Sequence, residues 1–140
     1  MKKRNFIFAS HGTLAQGVYN ALEVITGGNE NVKVYSAYVN GQQTNVAEEA
    51  EQLLAGYPAG EEIIVLTDLY GGSVNTEFVK LTGKYGIHVV SGLSLPLALF
   101  VLDGEEEETE EMLRKAVEQA KGSVQYCNQV LSQEQTEDDF

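Results

Sequence analysis

The residues Phe6-Ile7-Phe8-Ala9-Ser10-His11-Gly12 place a histidine two residues after a run of four apolar side chains. A short apolar run of this kind predicts a buried strand, and a helical pattern begins just after it at Gly12. His11 should therefore lie at the carboxyl edge of a strand, which is where open α/β sheets bind their ligands. We take His11 as the first candidate functional residue.

A later apolar strand, Ile63–Leu66, which is the third predicted strand along the chain, ends in a similar way. It is followed by Thr67-Asp68-Leu69-Tyr70-Gly71-Gly72-Ser73, which contains an acid and a glycine-rich turn. The ends of the first and third strands can be neighbours at the switch point of a doubly wound sheet. The sequence therefore predicts that Asp68 lies beside His11.

Helical and strand-like patterns alternate along the rest of the chain. This βα alternation occurs four times, and the strands are almost continuously apolar. Such a pattern predicts an α/β fold that is doubly wound, with a mainly parallel central sheet of four strands and helices on both faces. The further predicted strands are 32–39 and 87–90, and the predicted helices are 14–25, 46–54 and 73–83.

The C-terminal third predicts a long helix followed by a strand. An apolar segment runs from Pro96 to Leu102, and residues 105–121 have a helical pattern that begins with four glutamates at 105–108. Negative charge at this position suits a helix N-terminus. Residues 123–130 then return to strand character, and Cys127 within them is interpreted as a packed residue rather than a nucleophile.

Length and composition predict one domain, residues 1–131, and an acidic flexible tail, residues 132–140. The chain has 21 acidic and nine basic side chains, and a net charge of −12 opposes binding to nucleic acid or anionic lipid. No apolar stretch approaches the roughly 20 residues of a membrane span, and the apolar run after Arg4 is too short for a signal peptide. We expect a cytoplasmic protein.

The residues at the two strand ends suit transfer of a phosphoryl group. A neutral His11 could accept the group if Asp68 holds the proton of the other ring nitrogen and so sets the tautomer. Gly71, Gly72 and Ser73 at the start of a helix would supply N–H groups and a hydroxyl for the anion. This chemistry requires no metal and no other cofactor. His88 lies within a strand and is interpreted as structural.

Three motifs together make the chain resemble the EIIA domain of the mannose family of the bacterial phosphoenolpyruvate-dependent sugar phosphotransferase system (PTS). They are Ser10–Gly17 after the first strand, Asp68–Ser73 after the third and Ser91–Leu97 after the fourth. The resemblance implies that phospho-HPr phosphorylates the protein. An EIIB partner would then receive the group and phosphorylate sugar at the membrane permease.

The resemblance also implies individual roles. Nε2 of His11 would carry the phosphoryl group, and Asp68 would orient the ring through Nδ1. Ser73 and the amides of Gly71 and Gly72 would bind the phosphoryl oxygens. The family further suggests a homodimer in which the C-terminal strand is exchanged between subunits.

The chain departs from the family pattern in the glycine motif, and Ser94 of the third motif stands where asparagine is common. Many members have Gly-Gly-Ser-Pro-x-Asn, whereas this chain has Gly71-Gly72-Ser73-Val74-Asn75. The missing proline removes a rigid residue from the first turn of the helix and shifts the asparagine. No role is therefore assigned to Asn75.

Other functions are open at this point. The nearest alternative is the phosphotransfer subunit of a phosphoenolpyruvate-dependent dihydroxyacetone kinase, which shares the fold and a histidine after the first strand. A receiver-like signalling module would need an acidic pocket after that strand, where this chain has Ser10-His11. A histidine phosphatase would need an arginine before the histidine, where this chain has Ser10.

Overall fold

The computed structural model of the chain describes residues 2–138, with side-chain burial for residues 2–135. Its sheet has four strands in the order β2-β1-β3-β4, and every neighbouring pair is parallel. The strands are β1 (Arg4–His11), β2 (Val32–Ala37), β3 (Glu62–Thr67) and β4 (His88–Val90). The predicted four-stranded parallel α/β fold is confirmed.

The helices follow the predicted alternation. The first helix, α1 (Leu14–Thr26), is capped by Gly27, which adopts a left-handed conformation with φ 88° that favours glycine. The helix α2 begins after Asn45, whose side chain accepts a hydrogen bond from the Glu48 amide. The helices are α1 (Leu14–Thr26), α2 (Val46–Ala55), α3 (Ser73–Lys80), α4 (Thr82–Tyr85), α5 (Leu95–Asp103), α6 (Thr109–Lys121) and α7 (Cys127–Asp138), and a 3₁₀ turn spans Val39–Gly41.

The sheet is covered on both faces because alternate side chains of β1 point to opposite sides. Phe6 and Phe8 join an apolar cluster formed with α1, α5 and α6. Ile7 and Ala9 join a second cluster formed with α2 and α3. The burial of both faces fixes the sheet rigidly, and the strand ends that carry the candidate residues stay at its edge.

The long C-terminal helix starts later than the sequence predicts. The segment at 105–108 is a loop, and α6 begins at Thr109. Glu108 caps the helix, because its carboxylate accepts hydrogen bonds from the amides of Glu110 and Glu111. The guanidinium of Arg4 donates to backbone carbonyls of the loop, so these residues are held by a tertiary contact that local patterns do not report.

The predicted C-terminal strand is wrong for the chain as described. Residues 124–126 are irregular, and helix α7 begins at Cys127. Val130 donates its backbone N–H to the carbonyl of Tyr126, so the hydrogen bonds are local rather than made to a neighbouring strand. Val124 is 87% exposed. The aromatic and β-branched content that predicts a strand has no effect without a neighbouring strand to pair with.

Two further predictions concern this end of the chain. Cys127 is exposed rather than packed, because the segment around it leaves the core. Residues 132–138 of the predicted tail continue helix α7, whereas residues 139–140 lie outside the described part of the chain.

Within residues 2–138, none of the helices combines the length and the apolar character that crossing a bilayer requires.

Candidate functional site

His11 and Asp68 meet at the carboxyl edge of the sheet. In the pairing of β1 with β3, Ala9 lies opposite Thr67 as the last pair, so His11 and Asp68, which follow within two residues, emerge at the same edge of the sheet. Nδ1 of His11 lies 2.9 Å from Oδ2 of Asp68, and the backbone N–H of His11 donates to the same oxygen over 2.8 Å. The other carboxylate oxygen accepts from the Leu69 amide over 2.9 Å. The predicted proximity of the two side chains is confirmed.

The surroundings of Asp68 define the state of the imidazole. Its side chain is only 10% exposed, and this burial raises the pKa of Asp68. The hydrogen bonds from the backbone and ring of His11 and from Leu69 more than offset that effect and lower the pKa overall. An ionised carboxylate can only accept hydrogen bonds, so in the neutral form of the imidazole Nδ1 carries the proton and Nε2 has the lone pair.

Ser73 lies at the other ring nitrogen. Its Oγ is 3.3 Å from Nε2 of His11, and Ser73 is the first residue of α3. No side chain caps this helix. The first amides of a helix, here from Ser73 to Asn75, have no partner within the helix and carry partial positive charge. Nε2 of His11 therefore lies next to a helix start that suits an anion.

The amides of Gly71 and Gly72 are engaged within the turn. Gly71 donates to Oδ1 of Asn75 over 3.1 Å, and Gly72 donates to the carbonyl of Leu69 over 3.0 Å. The sequence suggests these two amides as hydrogen-bond donors to the phosphoryl oxygens. In the structure, their hydrogen bonds instead shape the turn. The first amides of α3, by contrast, have no partner within the helix.

Each glycine is required for a different physical reason. Gly71 has φ +80°, a left-handed conformation that other residues adopt at a cost. Gly72 has an ordinary conformation, but a Cβ there would lie 3.2 Å from Cε1 of His11 and 3.2 Å from the carbonyl oxygen of Leu69. Gly72 therefore permits the close approach of the imidazole to the turn.

Asn75 has a role that the sequence does not reveal. Its side chain is 4% exposed, accepts from Gly71 and donates through Nδ2 to Oγ1 of Thr67 over 2.8 Å. It thus connects the end of β3 to the glycine turn. The asparagine of the family motif is the one sequence feature that points to Asn75. Because Asn75 stands at a shifted position after Ser73, the motif does not assign it this role.

Tyr38 is the second residue that sequence reasoning missed. It follows β2, which flanks β1 on the other side, and its ring stacks on His11 with centroids 5.5 Å apart and planes at 27°. Its Oη lies 2.9 Å from Oγ of Ser73. Nothing in the local pattern distinguishes it from Tyr35, which lies within β2.

The backbone of Tyr38 is strained. It has φ 58° and ψ 33°, a left-handed conformation that costs roughly 1–2 kcal/mol for a residue with a Cβ. The Tyr38 amide donates to Oγ1 of Thr44 over 2.9 Å, which holds this conformation. Strain of this kind is concentrated at functional sites.

Two other residues complete the description. Ser10 is buried, and its Oγ accepts from the Ala15 amide over 2.8 Å, which ties the end of β1 to the start of α1 next to His11. His88 opens the edge strand β4 opposite Ile64, away from the carboxyl ends of the strands. The structure therefore brings His11, Asp68 and Ser73 together and leaves His88 apart from them.

Comparison with known proteins identifies the family. Residues 5–118 match the family described as the PTS system fructose IIA component, EIIA-man. The chain belongs to this mannose-type EIIA family. The resemblance predicted from the three motifs is confirmed, and the protein is a component of the sugar phosphotransferase system.

Individual EIIA relatives agree with this membership. The PTS sorbose-specific EIIA component of Klebsiella pneumoniae is 34% identical over 101 residues, which are 71% of this chain and 73% of the relative. A crystal structure from Klebsiella pneumoniae, provisionally assigned as a phosphoenolpyruvate-dependent sugar PTS permease, is 41% identical with a TM-score of 0.86 and covers 93% of this chain and 95% of its own. The EIIA of Streptococcus agalactiae is 27% identical with a TM-score of 0.75, over 89% of this chain and 98% of its own.

We expect Gly72→Ala to fold normally but to displace the imidazole, because its backbone conformation accepts a Cβ whereas the space beside His11 does not. Ring ¹⁵N chemical shifts of His11 measure the displacement, and circular dichroism measures the fold. Gly83→Ala is the control, since a Cβ there meets nothing within 4 Å. Unchanged His11 shifts in Gly72→Ala would contradict the role given to this glycine.

Proposed function

We propose that this EIIA is a phosphocarrier that accepts a phosphoryl group from phospho-HPr on Nε2 of His11 and passes it to an EIIB partner. The EIIB partner then serves sugar uptake and phosphorylation at the membrane permease. One observation carries the proposal. The hydrogen bond from Nδ1 to the buried carboxylate of Asp68 leaves the lone pair of Nε2 as the nucleophile, beside the start of α3.

The transfer step needs little covalent chemistry from the protein. The lone pair of Nε2 forms a bond to phosphorus, while the bond from phosphorus to the donor nitrogen breaks and its electron pair returns to that nitrogen. The ring of His11 becomes a cationic phosphoimidazolium that keeps its proton on Nδ1. Asp68 stabilises that charge, and the same step in reverse delivers the group to EIIB.

The site must bind an anion although the chain has a net charge of −12. Distant carboxylates are screened over about 8 Å at physiological ionic strength. Donors in direct contact act over shorter distances, and the structure offers the hydroxyl of Ser73 and the first amides of α3. These local groups support phosphoryl binding despite the overall charge.

The phosphotransfer subunit of a dihydroxyacetone kinase is the alternative function that would use the same phosphohistidine chemistry. The match to the EIIA family and the sorbose-specific relative favour EIIA. The receiver-like reading is disfavoured because Asp68, the acid at this edge, is already bonded to the imidazole. The phosphatase reading is disfavoured because Ser10 is buried and binds the start of α1 instead of presenting a cation.

We expect incubation with phosphoenolpyruvate, enzyme I and HPr to label the wild-type protein once, on His11, and His11→Ala to abolish the label. Mass spectrometry with mapping of the modified residue measures this. His88→Ala is the matched control, because it removes the other histidine of the chain and should leave labelling intact. A label that persists in His11→Ala would overturn the proposal.

Asp68→Asn should fold but slow transfer by about a hundredfold or more, because the amide no longer enforces the tautomer with the proton on Nδ1. The initial rate of labelling by phospho-HPr is the measurement. Asp103→Asn, at the end of α5, controls for the loss of one negative charge. Equal rates in Asp68→Asn and the wild type would remove Asp68 from the mechanism.

We further propose that the protein is a homodimer, as the family resemblance implies. Exposed apolar side chains at Val124, Tyr126 and Leu131 support a contact through the C-terminal segment. Sedimentation of the full chain should give a dimer, and Val124→Asp with Tyr126→Asp should shift it to monomer. Val24→Asp, at another exposed apolar position, should not. A monomeric wild type at micromolar concentration would refute the dimer.

A further inference from the structure

The contacts of Tyr38 connect it to the reacting nitrogen through Ser73. Oη of Tyr38 lies 2.9 Å from Oγ of Ser73, which lies 3.3 Å from Nε2 of His11. The Tyr38 ring also covers one face of the imidazole. Two hydroxyl groups therefore lie in a row beside the nitrogen that forms the bond to phosphorus.

The directions of these hydrogen bonds follow from the proton on Nδ1. Because Asp68 holds that proton in place, Nε2 of the neutral ring can only accept, and Ser73 donates its single hydroxyl proton to it. The oxygen of Ser73 is then an acceptor, so Tyr38 donates to Ser73. The lone pair of Nε2 is thus covered by a hydroxyl until an electrophile displaces it.

The position of Tyr38 is maintained against backbone strain. Its left-handed conformation is one that tyrosine rarely adopts, and Asn40, two residues later, is also left-handed at φ 57°. The Thr44 hydroxyl fixes the Tyr38 amide. Tyr38 and Ser73 line the same open cleft of about 600 Å³. A strained residue that stacks its ring on His11 and directs its hydroxyl group to Ser73 suggests a functional role.

We propose that Tyr38 is a further catalytic residue of this EIIA: its phenolic hydroxyl donates, together with Ser73, to the oxygens of the phosphoryl group in transfer, and its ring stabilises the phosphoimidazolium. The inference rests on the phosphocarrier function proposed above and adds a residue to it. The transferring phosphoryl group spreads negative charge over its three equatorial oxygens, where additional donors act.

The step balances without proton transfer. The lone pair of Nε2 forms the bond to phosphorus, and the electron pair of the breaking bond leaves with the donor. The hydroxyl of Ser73 turns from Nε2 to a phosphoryl oxygen, and the hydroxyl of Tyr38 turns from Ser73 to a second one. Both protons stay on their own oxygens. The new positive charge of the ring then faces the π-system of Tyr38, an arrangement that attracts a cation.

Tyr38→Phe tests the hydroxyl because it keeps the ring, the stacking and the backbone. We expect its rate of phosphorylation on His11 to fall about fivefold, the factor that corresponds to one hydrogen bond of about 1 kcal/mol. Phosphoramidate, a small N-phosphoryl donor, and phospho-HPr are both used as probes. Tyr35→Phe is the matched control, since its hydroxyl donates to Glu49 rather than to the site.

A ³¹P spectrum supplies a second measurement that a merely structural role would not change. The phosphohistidine resonance should move in Tyr38→Phe and stay in place in Tyr35→Phe, with equal melting temperatures. Wild-type rates and an unchanged resonance in Tyr38→Phe would overturn the role of Tyr38. If phosphoramidate labels His11 but phospho-HPr does not, the carrier function fails while the phosphoramidate rates still decide the role of Tyr38. If neither donor labels His11, both proposals fail.

Discussion

The parallel pairing of β1 with β3 is the constraint on which the site depends. His11 and Asp68 are 57 residues apart in the chain, and only the register that sets Ala9 opposite Thr67 brings them within hydrogen-bonding distance. A slip of one residue would turn every side chain of a strand to the other face of the sheet. The apolar side chains of β1, which pack into clusters on both faces, make such a slip costly and thereby maintain the geometry of the site.

The phosphoryl transfer that we propose depends on short-range contacts at the ends of these two strands rather than on the net charge of the protein. One carboxylate oxygen of Asp68 binds both the ring and the backbone of His11, so the acid fixes the position and the tautomer of the imidazole together. On the opposite side of the ring, Ser73 and the start of α3 offer donors for an anion. Asn75 secures the turn between them through hydrogen bonds to Gly71 and Thr67. The proposed nucleophile and the proposed anion site can therefore coexist in a strongly acidic protein.

Local patterns and tertiary contacts contributed differently to what could be predicted. The buried strands and the helices α1 and α2 were recognisable because their periodicity reports burial on the sheet. The proximity of His11 and Asp68 was predictable because both directly follow apolar strands. The acidic residues at 105–108 gave a misleading helix signal, since Arg4, distant in sequence, holds them as a loop. The pattern at 123–130 was misleading for the opposite reason, because no neighbouring strand in the described chain pairs with it.

The sequence by itself determined the order of the strands and main helices up to β4, the parallel sheet, the family and the position of His11 beside Asp68, because apolar periodicity and residues at strand ends are local properties. Only the tertiary structure decided that Tyr38 stacks on His11, that Asn75 holds the glycine turn and that the chain after Gly122 leaves the sheet. Those features depend on the register between distant strands and on a left-handed backbone at a tyrosine. No local preference encodes either, because tyrosine disfavours that conformation and its hydroxyl finds Ser73 only across 35 residues of chain.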